Sequence, residues 1–127
     1  MRGLDVRVMI PKRSDSRLVT AAARSYFDKL LKAGVRVYEF GPRMLHSKVL
    51  LVDDALAMVG TSNFDTRSFS LNFEIVMLFC DQGVAKALEA SLVADMALAG
   101  EVTAESRKPP FLSRLSEATA RLFSPML

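Results

Sequence analysis

The sequence predicts an α/β fold, a mixed sheet with helices on its faces. Three observations carry this. A strand–helix–strand succession opens the chain with short links, which implies parallel pairing. A turn at Asp53–Asp54 separates two apolar runs, as in an antiparallel hairpin. A long helical stretch then follows the most apolar strand candidate.

The elements follow in order. "GLDVRVMIP" alternates Leu4, Val6, Val8 and Ile10 with polar residues and stops at Pro11, the pattern of a strand. Ser14, Asp15 and Ser16 then offer caps for a helix with Leu18, Ala22, Phe27, Leu30 and Leu31 at helical spacing and Gly34 at its end. "VRVYEF" is the second strand, closed by Gly41–Pro42, and "MLHSKVLLV" the third. "ALAMVG" completes the hairpin, and the polar "TSNFDTRSFSLN" forms a loop or short helix. "FEIVMLFC" is apolar enough for a strand covered on both faces, with Cys80 as a small buried residue. A helix runs from Asp81 or Gln82 to about Ala99, ended by Gly100. The division is therefore 1–100 as the folded unit and 101–127 as a linker followed by an amphipathic helix, with Phe111, Leu112, Leu115, Leu122 and Phe123 on one face. That helix either packs on the chain's own core or touches a bilayer. The opening strand has nothing before it to cover it, so the unit is expected to be incomplete at its N-terminus.

Composition removes several function classes. Half of the 127 residues are hydrophobic and 24% charged, which fits a packed chain of at most one domain. A net charge of +3 is too small to single out an anionic partner. One cysteine permits no internal disulfide, and one histidine beside it permits no Cys/His zinc cluster. No loop groups carboxylates as a calcium site requires, so the chemistry is expected to need neither metal nor cofactor.

The residues that carry chemistry lie in "LHSKVLLVDDALAMVGTSN". On an extended strand His46 and Lys48 point to one face, roughly 6–7 Å apart. His46 can act as nucleophile or proton carrier near neutral pH, and Lys48 is a point charge suited to a phosphate oxygen. Asn63 can donate its amide N–H to the same group, and so can the hydroxyls of Thr61 and Ser62. A lone histidine is more often structural; this company converging on one spot suits phosphoryl transfer.

"HSKVLLVD…GTSN" resembles the HxKxxxxD…GSxN signature of the phospholipase D superfamily, with Thr61 in place of the usual serine. "VRVMIPKRSDSRLV", "ARSYFDKLLKAGVRVYEF", "VGTSNFDTRSFSLNFE" and "RLFSPML" are similar to the C-terminal catalytic half of bacterial cardiolipin synthases, so the likeness covers nearly the whole chain. The resemblance implies a phospholipase D-like half-domain carrying one of two HKD motifs. It implies phosphatidyl transfer from one phosphatidylglycerol to another through a phosphohistidine, giving cardiolipin and glycerol. His46 matches the motif histidine, while Lys48 and Asn63 match the residues that hold the phosphate oxygens. Asp53 matches the motif aspartate, which orders the hairpin. Glu74 matches the acid that orients the histidine by accepting its Nδ1 proton. Arg67 matches no motif position and reads either as a phosphate contact or as an internal ion pair with Asp65 or Glu74. The implied partners are the phospholipid, a membrane surface on the cytoplasmic side of the bacterial inner membrane, and a second HKD half, from another segment or a second copy. A dimeric phosphodiesterase or nuclease is the alternative, as is an inactive half-domain. Lys and Arg are spread along the chain rather than clustered, which weighs against nucleic acid.

Overall fold

The computed structural model describes residues 3–107 and 110–122. β1 (Arg7–Pro11) is shorter than expected, because Leu4 and Val6 remain exposed before it. The expected single helix is two, α1 (Arg17–Arg24) and α2 (Phe27–Lys32). The Ser16 side chain caps α1 by accepting from Val19 N. At the break, the Ser25 hydroxyl donates to Ala22 O at 2.6 Å, a local bond that competes with the helical ladder. Gly34, at φ 82°, closes α2 with paired bonds from Gly34 N to Leu31 O and from Val35 N to Leu30 O.

β2 (Arg36–Phe40) pairs in parallel with β1, with Val8 opposite Val37 and Ile10 opposite Glu39. Its other edge takes an antiparallel strand formed by residues 100–102, so Gly100 begins a strand there rather than ending a helix and starting a linker. Central placement buries β2 most deeply: Val37 and Phe40 are the largest fully buried side chains among the described residues.

β3 (Val49–Val52), β4 (Leu56–Gly60) and β5 (Val76–Phe79) make a second, wholly antiparallel sheet in the order β3-β4-β5. The mixed α/β expectation therefore holds with the strands divided between two sheets of three. Asp53 turns the hairpin at φ 50°, a left-handed conformation that Asp tolerates better than most residues. α3 (Thr66–Ser70) is the short helix in the polar segment, and α4 (Gln82–Ala97) begins on an Asp81 cap. α4 touches β2, β3 and β4 and so bridges the two sheets, over the buried Ala57 and Ala85.

β6 (Gly100–Val102) leads to α5 (Phe111–Leu122), which packs on α1. The join is Arg107. Its side chain is only 8% exposed and pairs with Asp28 at 2.6 Å and with Glu117 at 2.7 Å. It also donates to Arg24 O at 2.7 Å and lies over the Phe27 ring. Phe111, Leu112, Leu115 and Leu122 stay exposed on the far side of α5; Phe123 lies outside the described residues.

At the start of the parallel pair, Asp5 bridges Arg7 at 2.6 Å and Arg36 at 2.7 Å. Hydrogen bonds from Arg7 and then Arg36 favour its ionised form and hold the carboxyl down at about 2, from an ordinary 3.8. Because the folded value is the lower one, Asp5's stabilisation is present above pH 3.8 and is lost as pH falls through about 2. A carboxyl-carbon NMR titration should place its midpoint near 2; a midpoint near 3.8 would mean the bridge does not persist in solution.

Candidate active site

Antiparallel pairing sets three segments side by side at one end of the β3-β4-β5 sheet. Residues 46–48 enter β3, 61–63 leave β4, and 74–75 enter β5. The last links in this corner are Gly60 N to Lys48 O at 3.2 Å and Thr61 N to Ile75 O at 3.0 Å. Regular pairing of β3 starts only at Val49, so His46 and Lys48 lie in an irregular approach to the strand, not within it. The Lys48 ammonium donates to His46 O at 2.8 Å, a direct tie between the two residues. Among the described residues the exposed His46 imidazole makes no hydrogen bond, leaving both ring nitrogens available to a substrate or partner.

Gly60 explains how closely the strands meet here. A Cβ at this position would stand 2.3 Å from Ile75 O and 2.9 Å from Val76 Cα. Gly60→Ala should therefore force β4 from β5 and destabilise the chain by about 2 kcal/mol. A urea midpoint within error of the unmodified chain would refute that reading.

Beyond Gly60, Thr61 is committed to the scaffold: its hydroxyl donates to Glu74 Oε2 at 2.5 Å and accepts from Ile75 N at 3.0 Å. Asn72 holds the other Glu74 oxygen at 3.4 Å. Glu74 is thus fixed by Thr61 and Asn72 and makes no bond to His46 here. The Ser62 hydroxyl turns to Asn63 O at 3.3 Å. Asn63 is exposed; its backbone N–H is held by the buried Ser68 hydroxyl at 3.1 Å, and among the described residues its side-chain amide is unengaged. Ser68 N in turn donates to Asp65 Oδ1 at 2.7 Å, the cap of α3. Arg67 forms neither expected ion pair, since Asp65 caps the helix and Glu74 is held elsewhere. Asp53 stands at the opposite end of the sheet, in the hairpin turn. Among the described residues no group of His, Cys, Asp or Glu is arranged to hold a metal ion.

The surroundings of this corner are open and apolar. Phe64, Phe69, Leu71, Phe73 and Ile75 are all exposed, with Phe64 and Phe69 in an edge-to-face pair. β5 is an outer strand with Val76, Met77 and Leu78 exposed, contrary to the expectation of a strand covered on both faces, and Cys80 is exposed rather than buried. Large uncovered apolar patches mark contact surfaces.

The sequence model of the family described as "Cardiolipin synthase, PLD-like domain" matches residues 1–96. The chain belongs to this family. It is 46% identical over 128 aligned positions to cardiolipin synthase A of Pseudomonas fluorescens and 45% identical over 129 to the cardiolipin synthase of Alkalihalophilus pseudofirmus. All of this chain is covered in both, but it spans only about a quarter of their length, 27% and 25%. Among solved structures it is similar to Nuc of Salmonella typhimurium, a phospholipase D family member, with a TM-score of 0.69 at 21% identity, over 81% of this chain and 67% of that one. The fold is thus the one shared by cardiolipin synthase PLD-like domains and this wider family.

Within this cardiolipin synthase PLD-like domain, sequence reasoning missed Ser68, Asp65 and Asn72, which act at one remove by fixing Asn63 and Glu74. The Asp65-to-Ser68 spacing at the start of a helix was the available signal.

Proposed function

We propose that this chain supplies one half of the active site of a phosphatidyltransferase that makes cardiolipin and glycerol from two phosphatidylglycerols. The observation that carries the reading is the convergence of His46, Lys48 and Asn63 at one sheet end, with an unengaged imidazole beside an uncovered apolar surface. That surface suits a second HKD half, from another segment or a second copy, brought by a two-fold arrangement to face the first. The names of the relatives support the substrate class.

In this reading a histidine nitrogen attacks the phosphorus of one phosphatidylglycerol. The bond to the outer glycerol oxygen breaks, and the histidine of the opposite half protonates that leaving oxygen. The acceptor's hydroxyl then attacks the phosphohistidine while the same opposing histidine takes its proton, which restores both groups. His46 supplies the acid and base, and in a dimer of identical chains it takes both parts. The Lys48 ammonium keeps two N–H bonds beyond the one to His46 O, and these, with the Asn63 amide, hold the phosphate oxygens. Glu74, fixed by Thr61 and Asn72, orients the imidazole when the halves meet. Thr61 and Ser62 line the phosphate's approach through the loop that carries Asn63. The domain works at a membrane surface, on the cytoplasmic side of the bacterial inner membrane. No helix among the described residues is long and apolar enough to cross the bilayer.

The test is chromatography of lipids after incubating the purified chain with phosphatidylglycerol vesicles. Cardiolipin with released glycerol is the expected product. Phosphatidic acid alone would make water the acceptor and the chain a phosphodiesterase.

A further inference from the structure

A second feature lies outside the His46 corner. An open cleft of about 820 Å³ sits at the carboxyl ends of the parallel strands β1 and β2. Its size falls within the roughly 300–1,000 Å³ typical of small-molecule sites. In open α/β sheets, the crevice outside the carboxyl ends of the strands is where ligands bind. Three cations line it: Lys12 and Arg13, which follow β1, and Arg43, which follows β2.

Two of these charges are not spent inside the protein. Among the described residues, neither the Lys12 ammonium nor the Arg13 guanidinium has an ion-pair or hydrogen-bond partner. Arg43 is 76% exposed and reaches Asp95 only at 3.7 Å. Of the two acids in the lining, Glu39 is neutralised by Arg24 at 2.8 Å, which leaves Asp15. The positions are also held. The Lys12 stem crosses Gly41, where an added Cβ would meet Lys12 Cδ at 3.3 Å, and the Arg43 guanidinium lies over the Phe40 ring. Met44 shares the lining, and His46 is two residues further on, at most roughly 7 Å of chain. The cleft and His46 are therefore near each other along the chain.

We propose that this cleft binds a phosphate-bearing anion, the place of the acceptor lipid's headgroup phosphate while its hydroxyl reaches the phosphohistidine. The assignment rests on the phosphatidyl transfer proposed above. Lys and Arg side chains at the rim of an open hollow of mixed polar and apolar lining suit a phosphate diester, which they contact by charge-assisted hydrogen bonds.

Amide-detected NMR titrations of the chain with dihexanoylphosphatidylglycerol and with inorganic phosphate test this. Shifts at Lys12, Arg13, Gly41 and Arg43 are expected, with binding about ten-fold weaker when Lys12→Gln, Arg13→Gln and Arg43→Gln are combined. All three side chains are exposed, so the variant should keep the unmodified amide spectrum elsewhere. Tighter binding of the lipid than of inorganic phosphate assigns the site to a headgroup; equal binding assigns it to the free anion. Shifts confined to residues 46–63, or unaltered affinity in the combined variant, would overturn the proposal. His46→Ala separates the two readings: it should stop transfer yet leave the cleft titration unchanged. Transfer with an unaltered KM in the combined variant would refute the cleft alone.

Discussion

His46→Ala should lower cardiolipin formation by about four orders of magnitude or more while leaving the fold intact. A general acid and base contributes roughly 10²–10⁴ in rate, and loss of a nucleophile that acts together with its neighbours costs more. A dimer of identical chains loses both contributions with one substitution. The substitution should be structurally silent because the imidazole is exposed and, among the described residues, forms no hydrogen bond; only the backbone carbonyl of His46 is used there, by Lys48. Circular dichroism and urea midpoint should therefore match the unmodified chain. Activity within about ten-fold of that chain would remove His46 from the mechanism.

The second large effect is on stability. Arg107→Ala should destabilise the chain by about 3–5 kcal/mol, because breaking a buried ion pair strands its partner. Glu117 is the stranded one, with a side chain only 12% exposed, whereas Asp28, at 64%, can be hydrated when its partner goes. Arg107→Ala combined with Glu117→Leu should recover much of the loss, since an apolar replacement of the pair leaves no buried charge. Urea denaturation of both variants reads this directly. A single variant within 1 kcal/mol of the unmodified chain would show that α5 is not anchored through Arg107.

Local chemistry made much of this fold readable. Ser16 and Asp81 cap the helices where side-chain type put them, and Asp53 turns the hairpin. The corner site was legible for the same reason: His46, Lys48 and Asn63 are near in sequence, and one hairpin brings them together. What failed depended on what covers what. "FEIVMLFC" is apolar, but composition reports only that a strand should be covered, not that this chain covers it, and β5 is left exposed. The pairing of residues 100–102 with β2 is long-range, so nothing local distinguishes that strand from a linker. The first helix breaks at Ser25 and Tyr26, where the hydroxyl of Ser25 bonds Ala22 O and Tyr26 N turns to Ala23 O, and Ser is compatible with either state. Glu74 shows the same limit: its position was readable, but its present partners, Thr61 and Asn72, are set by the β4-β5 pairing.

The uncovered outer edge of β5 has a practical outcome. Among the described residues nothing pairs with the outer edge of β5, where Val76, Met77 and Leu78 are exposed, and such an edge is the template on which chains stack edge to edge. The purified polypeptide should thus be colloidally fragile above a threshold concentration, sedimenting as a polydisperse population. With that edge filled by an added strand, the protein should stay clear at concentrations that precipitate the bare chain, making turbidity an inexpensive screen for peptides that pair with β5.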